Sequence, residues 1–334
     1  MPRRGEHRLA RGAHFLVLWL LVGFVFVASF VIGHGTLASI GAGAAAVLLV
    51  TGLVNTSDMG HLVEPRLEDP LLALVGATLA ALGVRVLGAP PVLCAALVGA
   101  AGGLAVRAVA GAADRHGGPI YVGAFVGGTA ATVLPSFAWV MFAGFVAGAL
   151  WSVSREAWVG IGGKMGTLAL GGVLIAYAIA ALAGSAGSPS APLDASGAAA
   201  AVVIISVIAA PVTGLLAYRA EWGSVLASAA PTAACALLLD LAPGLASGHA
   251  DALAVAWFGS SFVGMTAPSR LPGYPAILLL GGLLYGILLL EFGTALSGVG
   301  GVAGATALIA VFALRGALAF AGSLRAGAPS RAGA

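Results

Sequence analysis

Two threonines, Thr129 and Thr266, stand in nearly the same phrase: FVGGTAATVLP from Phe125 to Pro135 and FVGMTAPSRLP from Phe262 to Pro272. A threonine hydroxyl donates one hydrogen bond and has two acceptor lone pairs. The pair can therefore hold a solute or an ion, or tie two helices together. Gly127 and Gly264, two residues before each threonine, permit a close helix approach or an unwound turn. A second phrase recurs downstream, GIGGKMGT from Gly160 and GVGGVAGA from Gly298. Its paired glycines, Gly162 with Gly163 and Gly300 with Gly301, are poor helix interior, each costing about 1 kcal/mol against alanine. In lipid, backbone groups freed by such a break must be buried in protein or face a water-filled cavity. The pattern predicts interrupted helices lining a pathway; the alternative is a close-packed seam of small residues.

Lys164 is the one basic side chain inside a repeated phrase, and its counterpart, Val302, is apolar. Ionisable residues within apolar segments are rare and are candidates for function. Lys164 either supplies the electrostatic element for a solute or snorkels to the headgroups beside Arg155 and Glu156. Asp240 in LLLDLAPG and Glu291 in LLLEFG also interrupt apolar runs, which makes them candidates for ion or proton coupling. Their places near helix ends favour simple exposure at the interface. GIGGKMGT is not a phosphate-binding loop, because that loop needs Ser or Thr directly after the lysine and Met165 stands there. His249 and Asp251 supply only two ligands, too few to predict a metal site. No paired carboxylates, Ser–His–Asp set or Cys–His set is legible. The sequence therefore predicts neither an enzyme nor a cofactor.

The elements that carry these residues follow from composition. Of 334 residues, 60% are apolar, 8% are charged and 51 are glycine. A soluble domain has about a quarter of its residues charged. Apolar runs begin with FLVLWLLVGFVFVASFVIG at Phe15 and continue to Phe320, and those of roughly 18 to 25 residues are long enough to cross about 30 Å of hydrocarbon. An all-α polytopic membrane protein is expected; a transmembrane barrel would alternate polar and apolar residues instead. The first run is too long for a signal-peptide core and lacks a small-x-small cleavage site, so it is read as a retained helix. A net charge of +3 gives no reason to expect nucleic acid. The lipid bilayer and a small solute or ion are the expected partners, and a homo-oligomer is compatible with such a fold.

The two phrases belong to a longer duplication. Gly144 is matched with Gly281, and APPVLCAAL from Ala89 with APTAACALL from Ala230, which would make Cys94 and Cys235 equivalent. The units are read as 64–184 and 198–321. Residues 1–60 hold the N-terminal tail and two extra helices, 185–196 form a Pro- and Ser-rich linker, and 322–334 form a disordered tail. Each unit offers five apolar segments. The third, Ile120 to Leu134 in the first unit, is about 15 residues and spans only about 22 Å, so it is either a short crossing or a re-entrant arm.

Basic residues mark cytoplasmic ends. Starting from a cytoplasmic N-terminus with Arg3, Arg4, Arg8 and Arg11, five crossings per unit bring every other cation but Arg85 to the cytoplasmic side. The expectation is about 12 helices as 2 + 5 + 5 in the cytoplasmic membrane, an inverted internal repeat with both termini on the cytoplasmic side. In general architecture this is similar to transporters with five-plus-five inverted repeats, whose sites lie where the repeats meet. The sequence thus points to a transport protein. A passive channel is the alternative, and a membrane-embedded enzyme or non-transporting subunit the third reading.

Overall fold

The computed structural model describes residues 63–110, 116–188, 195–246, 248–292 and 296–326. Among them the chain is all-helical. The ten α-helices are α1 (Glu68–Arg85), α2 (Pro91–Ala110), α3 (Gly117–Gly127), α4 (Phe137–Ser154), α5 (Lys164–Leu182), α6 (Ala199–Tyr218), α7 (Ser224–Leu241), α8 (Ala250–Gly264), α9 (Ile277–Phe292) and α10 (Val302–Ala326). Six of them, α2, α4, α5, α6, α7 and α10, are long and apolar enough to cross a membrane. The chain is a multi-pass helical membrane protein. The twelve spans expected from sequence are not reached among the described residues, and the two extra N-terminal helices lie outside them. So does most of the linker. The tail expected to begin at Gly322 is helical as far as Ala326, as the last turn of α10.

The third segment of each unit is shorter than its apolar run. α3 has 11 residues and α8 has 15, rising about 16 and 22 Å. α3 stops at Gly127 because the chain turns at Gly128 and Thr129. The rest of the segment, to Leu134, is turns. Both short helices are deeply buried in protein, which is how membrane proteins accommodate broken helices.

Small residues make that burial possible. Ala73, Ala77, Ala80 and Ala81 of α1 are fully buried, and α3 presses its glycines onto this stripe. A side chain at Gly123 would overlap the carbonyl oxygen of Ala73, and one at Gly127 would come within 2.5 Å of the Ala77 oxygen. In the second unit, Gly264 of α8 meets the Ala210 oxygen of α6 in the same manner. The Ser260 hydroxyl adds a 2.5 Å bond to the Ser206 oxygen. Gly144 of α4 lies against Ala73 and Ala77, and Gly282 of α9 lies against Ser206. Gly281, the match expected from sequence, faces Val263 instead. The same plan of neighbours thus serves both units: the first helix packs on the third and fourth, the two second helices (α2 and α7) pack on each other, and so do the two fifth helices (α5 and α10).

One expected match fails. Cys94 sits in the first turn of α2 and Cys235 two turns from the end of α7. Pro90, the match of Pro231, lies just before α2, whereas Pro231 lies inside α7. The two AP strings therefore sit at different places along their helices.

Candidate functional site

The glycine phrases fold as left-handed turns ahead of α5 and α10. Gly160 and Gly163 have φ of 74° and 85°, and Gly298 and Gly301 have 81° and 91°, a region that only glycine enters freely. The helices begin at Lys164 and Val302, so the glycines precede them and do not interrupt their interiors.

Each turn is locked to the threonine of the other unit. The Gly162 N–H donates to Thr266 Oγ1 at 3.1 Å, and the Gly300 N–H donates to Thr129 Oγ1 at 3.1 Å. Beside them the Ala130 N–H donates to the Gly298 oxygen at 2.8 Å, and the Ala267 N–H to the Gly160 oxygen at 2.9 Å. A side chain at Gly162 would overlap the Phe262 oxygen, and one at Gly300 the Phe125 oxygen. Gly163 abuts Gly304 and Leu308 of α10, and Gly301 abuts Gly166 and Leu170 of α5. Thr129 and Thr266 are fully buried. Their hydroxyls accept from backbone and serve the junction between the units.

A cavity of about 370 Å³ opens beside one of these junctions. Its walls come from the start of α2, the end of α7, the start of α8 and the turn that leads into α10. Gly300 and Gly301 line it; Gly162, Gly163, Lys164, Thr129 and Thr266 do not. Phe125, Phe258 and Phe262 form its deep wall, being 3%, 8% and 2% exposed. Their ring centroids are 4.7 to 5.3 Å apart, in tilted and edge-on pairs. Behind them lies Tyr121, its ring 4.3 Å from Phe125. The Tyr121 hydroxyl is 3.2 Å from Ser228 Oγ, which is 2.7 Å from Ser261 Oγ. This buried hydroxyl chain satisfies the polar atoms behind the aromatic wall. Asp240 and Asp251, both exposed, stand at the mouth.

At the positions that match the cavity lining, the other unit carries indoles. Leu296 lines the cavity four residues before Gly300; four residues before Gly162 stands Trp158, 7% exposed and 5.8 Å from the Phe312 ring. Val255 lines the cavity seven residues before Phe262; seven residues before Phe125 stands Gly118, covered by the Trp151 ring. Trp158 has a φ of 54°, a conformation that costs a non-glycine residue roughly 1–2 kcal/mol. Its indole packs there against Phe312.

Lys164 has a different task from the one expected. It is 6% exposed, and its Nζ donates to the carbonyl oxygens of Ser154, Arg155 and Ala157 at 2.6, 3.1 and 2.6 Å, 4.9 Å from the centre of the Trp151 ring. A cation on the last carbonyls of a helix, here those ending α4, is where the helix dipole favours it. Glu291 is exposed in the last turn of α9 and does not line the cavity. Arg85, the one cation that the charge rule misplaces, donates to the oxygens of Leu134, Pro135 and Thr129 at 2.6, 3.1 and 3.5 Å. It serves the unwound stretch after α3, where carbonyls have lost their helix partners. Tyr218, at the end of α6, does the same for the Met265 oxygen after α8.

Compared with known proteins, the chain matches no family model, no curated protein and no solved structure.

Proposed function

We propose that this chain is a transport protein of the cytoplasmic membrane, a carrier that moves a small solute or ion through the cavity between its two units. The observation that carries this reading is the one-sided cavity: open past Asp240 and Asp251, sealed at depth by Phe125, Phe258 and Phe262, and matched on the opposite side by space that Trp151 and Trp158 occupy. A channel needs a continuous path; a wall of three packed phenyl rings backed by Tyr121 favours alternating exposure over a filter. The crossed Thr–Gly bonds support two units related by an approximate two-fold; with the units inverted, as the placement of the basic residues favours, a site at the interface opens to either side by rocking one unit on the other.

Charge supports the orientation. Arg66, Arg107, Arg155 and Arg270 bond backbone or side-chain groups near the helix ends away from the cavity mouth: Arg107 to the Glu221 oxygen, Arg155 to the Glu64 oxygen and Arg270 to the Val159 oxygen, while the Arg66 N–H meets Ser152 Oγ. By the positive-inside rule that end is cytoplasmic and the cavity mouth external. We read the chain as non-enzymatic, because its ionisable groups are dispersed between the mouth, the helix ends and the cap at Lys164.

The test is single-cysteine accessibility in the Cys94→Ala, Cys235→Ala background. A membrane-impermeant thiol reagent applied from outside should label cysteines at Ala254 and Val299, and reagent applied inside should reach Ile161 only when the cavity is closed. No labelling at Ala254 or Val299 from either side would overturn the carrier reading. Topology mapping that put Ser188 on the same side as the N-terminus would overturn the inverted arrangement.

A further inference from the structure

We propose that the cavity selects a small organic cation, of the size and kind of an alkylammonium ion. This deepens the carrier reading and rests on it. Among the described residues that line the cavity, Asp240 and Asp251 are the only charged side chains, and both carry a formal negative charge. The remaining lining is Ala, Gly, Val, Leu, Pro and Phe with Ser297 as the one side-chain hydroxyl. Such a lining offers no side-chain donor array for an anion and few partners for a sugar or other polyhydroxy solute, each of whose hydroxyls would go unbonded at a cost.

Two features act in sequence on a cation. Among the described residues neither aspartate has an ion-pair or hydrogen-bond partner, and both are exposed, so they raise the local concentration of cations at the mouth. Further in, a bare ammonium must shed water, and the phenyl rings of Phe125, Phe258 and Phe262 are the groups that repay this, through attraction between a cation and the ring's negative face. Alkyl groups on the cation meet the apolar walls formed by Val92, Ala95, Ala254 and Val255. An inorganic cation fits poorly, because hard cations require several oxygen ligands and the deep wall supplies none from side chains. The volume of about 370 Å³ lies at the small end of ligand pockets, which run from roughly 300 to 1,000 Å³.

The experiment uses the full chain, both in detergent for equilibrium binding and in proteoliposomes for uptake. The probes are tetramethylammonium and butylammonium, with neopentyl alcohol as the neutral match and butyrate as the anion. The expected result is saturable binding and uptake of the ammonium ions only. Each of Asp240→Asn and Asp251→Asn should weaken binding about two- to fivefold and the pair on the order of tenfold, the range for exposed charge interactions. Phe258→Leu should weaken it about fivefold more, as loss of a cation–ring contact. Ala254→Phe, which fills the cavity, should abolish binding. Uptake of the neutral probe equal to that of the cations, and indifferent to both Asn variants, would overturn the cation class and leave the carrier. Saturable cation binding without uptake would overturn the carrier and leave the site. Preferential binding of butyrate, or no saturable binding of any probe, would overturn the proposal.

Discussion

The crossed bonds between each threonine and the opposite glycine turn make a quantitative prediction. Thr129→Val and Thr266→Val keep the shape of the side chain and remove the only acceptor for the Gly300 and Gly162 N–H groups, both bonded at 3.1 Å. Both threonines are fully buried, so water does not replace the lost oxygen, and a buried N–H left unpaired costs about 1–3 kcal/mol. Because the two bonds have the same length and burial, the two variants should lose similar amounts. The internal control is Thr167→Val. The Thr167 hydroxyl donates to the Gly163 oxygen of its own helix, which already accepts from the Thr167 N–H, so its removal orphans no group and should cost less than about 0.5 kcal/mol. Unfolding in mixed micelles by titration with dodecyl sulfate, followed by tryptophan fluorescence, reads all three. If Thr129→Val and Thr266→Val prove as mild as Thr167→Val, the junction does not hold the units together and the reasoning fails. A large loss at one threonine alone would refute the equivalence of the two junctions.

Further expectations concern the groups around that junction. Gly162→Ala and Gly300→Ala each drive a methyl into a carbonyl oxygen of the facing short helix and should abolish stable expression, while Gly244→Ala, which meets nothing within 4 Å, should leave it unchanged; detergent-stable yield by size-exclusion chromatography decides. Lys164→Met should cost about 1–3 kcal/mol in micelle unfolding, since three carbonyl oxygens lose a charged donor, yet leave tetramethylammonium affinity unchanged; lost affinity at unchanged stability would return Lys164 to the pathway. Arg85→Met should destabilise by a similar amount without altering the sidedness of a cysteine at Ser188, since its bonds to Leu134, Pro135 and Thr129 are structural; inverted sidedness would show that it sets topology after all. Trp158→Ala should admit thiol reagent from the cytoplasmic side to a cysteine at Ile161, and unchanged protection there would show that the indole is not what closes that side.

The repeated phrases were legible because Phe, Thr and Pro recur in register with the glycines. Thr129 with Thr266, and the glycine pairs, stood out as spaced phrases, and in the fold the Gly162 and Gly300 N–H groups bond Thr266 and Thr129. Their pairing was not legible: the sequence placed equivalent residues near one another, and only the folded chain shows that each threonine bonds the glycine turn of the other unit. Tyr121 and Phe258 were missed, though each stands four residues before the Phe of its phrase, one helical turn away and on the same face; extending the phrase by one turn would have found the aromatic wall. Asp251 went unremarked as part of a cavity because it and Asp240 lie on different helices. Arg85 and Lys164 misled in opposite senses, as a topology exception and a solute ligand, because a cation bonded to carbonyls at a helix end reads the same in sequence as one facing lipid headgroups or a pathway.

Composition and hydropathy by themselves determined that this is a helical multi-pass membrane protein, because segments this apolar have nowhere else to bury their surface and their backbone groups must pair internally. The repeated Gly and Thr letters determined where helices would stop. Only the tertiary structure decided that the short helices α3 and α8 end inside the protein, that a cavity opens beside Gly300 and Gly301, and that Lys164 bonds three backbone carbonyls. Those outcomes depend on which side chains meet across distant segments, and a cavity is the space that such meetings leave.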